Sequence, residues 1–184
     1  MSLAGTLHHF AISLSDVDRG VYETLELKVA RHPSEAQDHL VARVLAYCLE
    51  LTEGLDFSRG LWEPDEPALR VRDLTGRLRA WIDVGVPDAA RLHKAAKAAP
   101  RVAVYTHKPP AQLLRQLEGE RIHRGGEIEL YALDRELVSG LAARLERRVK
   151  FDLSVTDRHL FVSIDGATLS GPVERLRSDE QREG

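Results

Sequence analysis

The acids placed to do chemistry flank one expected hairpin. Asp65 and Glu66, between Pro64 and Pro67, precede a strand expected from about Ala68 to Arg72, and Asp83 lies near the end of a second strand, Arg77 to Val84. The turn Asp73-Leu74-Thr75-Gly76 joins them, and in an antiparallel pair the start of one strand neighbours the end of the next. Asp65 and Asp83 therefore come toward the same end. Two carboxylates there would share a divalent cation. Magnesium or manganese takes oxygen ligands and keeps several waters, so two acids and a backbone carbonyl suffice for a phosphodiester-cleaving site. Arg91 and Lys94, three residues apart on the following helix, are the cations available to orient water and neutralise phosphate charge.

Other chemistries lack their residues. The chain has no GxxxxGK[ST] loop and no GxGxxG after a strand, and Gly125-Gly126 precedes a strand instead of opening a helix. It has no GxSxG elbow, and its eight histidines form no HExxH or comparable zinc spacing. His8 and His9 adjoin, but on a strand they point to opposite faces. The single cysteine, Cys48, lies on an apolar helical stripe and reads as a small buried hydrophobe rather than a nucleophile.

The elements that must position the acids follow from periodicity. Leu7 to Leu14 and Tyr22 to Ala30 alternate as two strands around the polar turn Ser15 to Gly20. Ser34 with Gln37 fits a capping box for a helix in which Leu40, Val41, Val44, Leu45, Cys48 and Leu49 recur at helical spacing. Thr52 to Pro67 reads as irregular. After Asp83, Pro87 and Asp88 open a second helix that Pro100 stops, and an acid in the first turn suits the helix dipole. Val102 to Tyr105 is a strand, Pro110 to Glu118 a helix, Ile128 to Leu133 a strand and Asp134 to Arg147 a helix. Phe151 to Val155 and Leu160 to Ile164 form a closing hairpin. The charged stretch Ser178 to Gly184 reads as a frayed tail.

With 184 residues, 43% hydrophobic and 30% charged, the chain has the composition of a globular protein of one domain. Its 26 Lys and Arg against 29 Asp and Glu give a net charge of −3, which excludes a broadly polycationic nucleic-acid binder. Aromatics at 5% weigh against base-stacking platforms. One cysteine, an N-terminus without a signal-peptide pattern and no apolar run of about 20 residues lead to the expectation of a cytoplasmic, non-membrane protein.

Three separated stretches resemble the YaeQ family of bacterial proteins. They are Ala30-Arg31-His32-Pro33-Ser34-Glu35, then Asp65-Glu66-Pro67, then Trp81-Ile82-Asp83-Val84-Gly85-Val86-Pro87-Asp88 followed by Arg91 and Lys94. The resemblance covers about Thr6 to Ile164. It implies an α/β fold varied from the PD-(D/E)xK nucleases: a single domain over 1–177 whose mixed central sheet, flanked by helices, forms a restriction-endonuclease-like core. N-terminal and C-terminal β-hairpins are added to that core. By the same resemblance Asp65 after Pro64 matches the Pro-Asp half of the nuclease motif, and Asp83 matches the acid of (D/E)xK. Both would be metal ligands. Gly85 stands where the motif lysine belongs, which makes Lys94 a relocated substitute, and Glu35 an accessory acid; Gln37, Glu66 and Arg91 are further accessory candidates. Extending the first helix's wheel back through its cap aims Gln37 at the sheet better than Glu35.

Two functions are thereby expected. One is a magnesium- or manganese-dependent nuclease acting on DNA or RNA, with Asp65, Asp83 and Lys94 catalytic. The other is a catalytically degenerate nuclease-fold module that binds protein or nucleic acid, favoured by Gly85, the net charge and the scarcity of basic clusters.

Overall fold

The computed structural model describes residues 5–176. Two compact units are built from interleaved segments, residues 5–41 with 133–173, and 42–132 with 174–176. The first is formed largely of β-sheet, and the second combines strands with helices.

The first unit holds five strands in the order β2-β1-β8-β9-β10. Strands β1 (Thr6–Asp16) and β2 (Val21–Arg31) form the expected hairpin, and β1 also pairs in parallel with β8 (Arg148–Thr156). Alternation is the reason these segments are strands: Phe10, Ile12, Leu14, Phe151, Leu153 and Val155 point inward and are buried, and their neighbours point out. Strand β9 (His159–Ile164) pairs with β8 across the turn Asp157-Arg158, both at positive φ (50° and 56°). That turn geometry matches strand twist but strains non-glycine residues. Asp18 offsets the strain, its carboxylate accepting from the Asp157 and Arg158 amides at 2.7 and 2.9 Å.

The expected closing hairpin does not close the unit, because Asp165-Gly166 turns the chain into a further strand, β10 (Ala167–Leu176). Helix α4 (Arg135–Ala142) is capped by Asp134, which accepts from the Leu137 amide at 3.0 Å. It is shorter than the helix expected to Arg147. Its buried stripe ends at Ala142, and Arg144 and Leu145 donate three residues back, a tightening that frees the chain to enter β8 at Arg148.

Helix α1 (Gln37–Leu49) starts later than the capping box predicted. The Ser34 amide donates to the ring of His32, which also holds the Ser34 hydroxyl, so Ser34 caps nothing. The first helical bond runs from Leu40 to the carbonyl of Ala36.

The second unit orders its strands β7-β6-β5-β4-β3. Strand β3 (Leu55–Phe57), lying in a stretch expected to be irregular, pairs antiparallel with β4 (Leu69–Arg72). Strands β4 and β5 (Leu78–Val84) form the expected hairpin. In its turn the Asp73 carboxylate accepts from the amides of Thr75 and Arg77. Parallel crossovers through α2 (Ala89–Ala98) and α3 (Pro110–Leu117) add β6 (Arg101–Thr106) and β7 (Glu129–Leu133). Trp81, Val102, Val104 and Leu130 pack with Leu92, Ala95 and Ala96 of α2 and Leu113 of α3. Burial of Leu92 alone stabilises by about 2 kcal/mol. The tail expected over 178–184 lies outside the described residues. Among the described residues no helix is long and apolar enough to cross a membrane.

Candidate functional site

Asp83 stands near the end of β5 on the same face as Trp81, and that face is covered by α2. Its side chain is only 3% exposed. Helix α2 begins just beyond it because Asp88 caps it, accepting from the Arg91 amide at 2.8 Å. This cap sets the first turn so that Arg91 reaches back to the strand.

The Arg91 guanidinium meets both oxygens of Asp83, Nε donating to Oδ2 at 2.7 Å and Nη2 to Oδ1 at 3.0 Å. It also donates to the carbonyls of Pro64 and of Glu66, the latter at 2.6 Å. One side chain thus ties the strand end to the backbone on both sides of Asp65. Trp81 lies beneath, its ring centroid 5.6 Å from the guanidinium carbon. Partial burial works against the charged guanidinium, but its hydrogen bonds to Asp83 and the charges of Asp83, Asp88 and Asp65 hold its pKa above the ordinary arginine value. The Trp81 indole N–H is buried without an acceptor among the described residues.

Asp65 lies at the surface, its side chain 90% exposed, and accepts from Lys94 Nζ at 3.0 Å. An ion pair this exposed contributes only about 0.5 kcal/mol. Glu66 turns its carboxylate away toward Arg59, whose amide and guanidinium both donate at 3.3 Å. The amide bond, ahead of the Arg59 charge, keeps the Glu66 carboxyl below its ordinary pKa.

The structure therefore gathers Asp65, Asp83, Arg91 and Lys94 around one hairpin end, in the roles of two ion pairs. Glu35 and Gln37 belong to the first unit. There the wheel argument reverses: Glu35 is buried and bonded to His39 Nδ1 at 2.5 Å, whereas Gln37 is exposed. Residues 34 to 36 are not helical, so helical spacing does not set the direction of Glu35, and Gln37 is the exposed first residue of α1.

A hard cation needs carboxylate oxygens free to coordinate it. Both oxygens of Asp83 already carry a guanidinium, and a metal there would have to displace Arg91 and then sit against its charge. Among the described residues no group of three or more His, Cys, Asp or Glu side chains is arranged to hold a metal ion. The residues present do not fit the magnesium or manganese that the nuclease resemblance implies. A cavity of about 320 Å³ in the same unit lies elsewhere, floored by Leu114, Leu117, Ile122, Ile128 and Leu130, and none of these acids lines it.

Sequence reasoning missed a second polar network in this unit. Arg101 bridges Glu50 (Nη1 to Oε2, 2.7 Å) and Glu129 (Nε to Oε2, 2.7 Å), and the hydroxyls of Tyr105 and Tyr131 donate to Glu50 and Glu129 at 2.6 Å each. Tyr105 and Tyr131 are register partners on β6 and β7, with rings stacked 4.9 Å apart. The shared phase of Arg101, Tyr105, Glu129 and Tyr131, opposite to Val102, Val104 and Leu130, was the available signal.

The family profile described as YaeQ protein matches residues 1–172. The chain belongs to the YaeQ family. The YaeQ protein of Escherichia coli (strain K12) is 30% identical over 166 residues, 90% of this chain and 92% of its own length. That of Salmonella typhi is 29% identical over 164 residues, 89% and 91% of the two chains. The crystal structure of the YaeQ protein from Pseudomonas syringae superposes with a TM-score of 0.83 at 30% identity, covering 95% of this chain and 97% of that one. For the Xanthomonas axonopodis pv. citri YaeQ protein the TM-score is 0.84, again at 30% identity, with 95% and 99% covered. None of these YaeQ relatives carries a nuclease activity in its name.

Proposed function

We propose that this YaeQ chain is a binding module on a restriction-endonuclease-like scaffold that has given up metal-dependent cleavage. The observation that carries the reading is the occupation of both Asp83 oxygens by Arg91. In a metal-dependent phosphodiesterase that carboxylate would ligate the cation, and a positioned lysine would orient water. Here Gly85, just past the end of β5, stands in place of the lysine, Lys94 is engaged with Asp65 at the surface, and Arg91 serves as a latch for the 64–66 loop. An ion pair of this kind secures loop geometry, which suits a scaffold whose work is recognition of protein or nucleic acid.

The test is a cleavage screen on labelled single-stranded, double-stranded and structured DNA and RNA with Mg²⁺ or Mn²⁺, using Asp65→Ala and Asp83→Ala as controls. The proposal expects no hydrolysis above that of the two variants. Metal-dependent cleavage by the wild type that Asp83→Ala abolishes would overturn it.

A further inference from the structure

The outward face of the first unit's sheet has an organised surface that the Asp83 site does not use. Burial alternates strictly along β9 and closely along β1 and β8, so the pairing registers place the outward residues in rows. One row runs Tyr22, Ser15, Ser154, Phe161 and Ser170 across all five strands. Tyr22 is 61% and Phe161 41% exposed, and they are the exposed large aromatic side chains among the described residues. Only the two serines separate them, so the rings stand about 14 Å apart, three strand spacings, over a floor of small hydroxyls. His159 extends the aromatic end, its ring 4.8 Å from that of Phe161.

The next row, Thr24, Ser13, Asp152, Ser163 and Thr168, is almost wholly hydroxyl-bearing. Beyond it Ala11 is flanked by Glu26 and Lys150, and His9 by Lys28 and Arg148. Lys150 and Arg148 thus lie about 13 and 20 Å along β8 from Ser154. Among the described residues Lys28, Arg148 and Lys150 have no ion-pair partner. Glu26 and Asp152 share the face, so the outward rows of β1, β2, β8 and β9 carry three cations against two acids, and the outward phase of β10 adds the exposed Glu174.

A protein partner would be expected to meet a contiguous apolar patch, whereas this floor is hydroxyls. A duplex offers no unstacked base to an exposed ring. A single strand needs what the face supplies: aromatic rings for bases, hydroxyls for sugars and base edges, and cations for phosphates. We propose that this sheet face, through Tyr22, Phe161, Lys28, Arg148 and Lys150, binds single-stranded nucleic acid. The proposal rests on the binding-module reading only in treating the strand as ligand and not as substrate.

Fluorescence anisotropy with labelled oligothymidylate and oligouridylate of about 12 nucleotides, in EDTA and over a range of salt, tests it on the whole protein. Saturable binding is expected, weaker to the matching duplex. Tyr22→Ala and Phe161→Ala each weaken it about tenfold, and Phe161→Trp retains it. Lys28→Glu combined with Lys150→Glu lowers the slope of log affinity against log salt by about 1.4. All four positions are exposed, so circular dichroism and Tm should match the wild type. Flat anisotropy at low salt, or binding indifferent to the aromatic and charge variants, would overturn the proposal, including the case in which the face holds a protein. Failure of the non-catalytic reading shows separately, as Mn²⁺-dependent shortening of the strand on a gel.

Discussion

Asp83→Ala is expected to destabilise the protein by about 3 kcal/mol. Removing one partner of a buried pair costs about 3–5 kcal/mol because the other charge is stranded. Two charge-assisted hydrogen bonds, 2.7 and 3.0 Å long, disappear with the carboxylate. Arg91 keeps its bonds to the Pro64 and Glu66 carbonyls and is 30% exposed, so solvent screens part of the loss and the lower end of the range applies. At about 2–4 °C per kcal/mol for a chain of this size, Tm falls by about 9 °C. Arg91→Ala strands a carboxylate that is far less exposed, 3%, and costs about 4 kcal/mol. The double variant costs less than the two single losses together, by about 2 kcal/mol, since each deletion removes the same contact. Urea unfolding followed by circular dichroism measures all three. An Asp83→Ala protein as stable as the wild type, or more stable, would refute the reasoning. Carboxylates held for a metal repel one another, and deleting one relieves that repulsion.

Other predictions concern the Arg101 network and one glycine. Burial first, and then the hydrogen bond to Glu129, push the Tyr131 phenol up to about 12, so alkaline absorbance titration should show a step there that Tyr131→Phe removes. A raised phenol contributes stability below its ordinary value of 10 and loses it as pH climbs through about 12. Glu129 lies below its ordinary 4.5 because the bonds from Arg101 and Tyr131 outweigh its burial. Its contribution is present above that value and lost as pH falls through the depressed one, so Glu129→Gln should narrow the difference in urea midpoint between neutral and acid pH. Gly54 sits at φ +87° and a Cβ there would lie 2.0 Å from the Arg72 carbonyl oxygen, so Gly54→Ala should cost about 3 kcal/mol in urea unfolding.

Local patterning made most elements legible, and the misreadings have physical causes. Asp165-Gly166 is a strong hairpin signal, yet Gly171 and Pro172 in the middle of β10 argue against a strand. Gly171 is needed because the Asp134 side chain, the cap of α4, lies 2.3 Å from where its Cβ would be. Strand β3 is three residues long and owes its existence to β4, a tertiary fact that periodicity does not carry. At the candidate site the shared hairpin end was legible and the ion pairing was not. Asp65, Asp83, Arg91 and Lys94 do share one hairpin end, but pairing depends on how Asp88 sets the first turn of α2. The outward sheet face was hidden for a different reason: its rows join β1 to β8 and β9, about 140 residues apart in sequence, through a parallel pairing that no local pattern announces.

Calorimetric titration of Mn²⁺ into the wild-type protein and Asp83→Ala tests the central claim most directly, because it asks whether Asp83 is a ligand or an ion-pair partner. With Arg91 on both carboxylate oxygens, the account predicts no saturable heat from either protein and no Mn²⁺-dependent rise in Tm. Stoichiometric binding by the wild type that Asp83→Ala abolishes would contradict it.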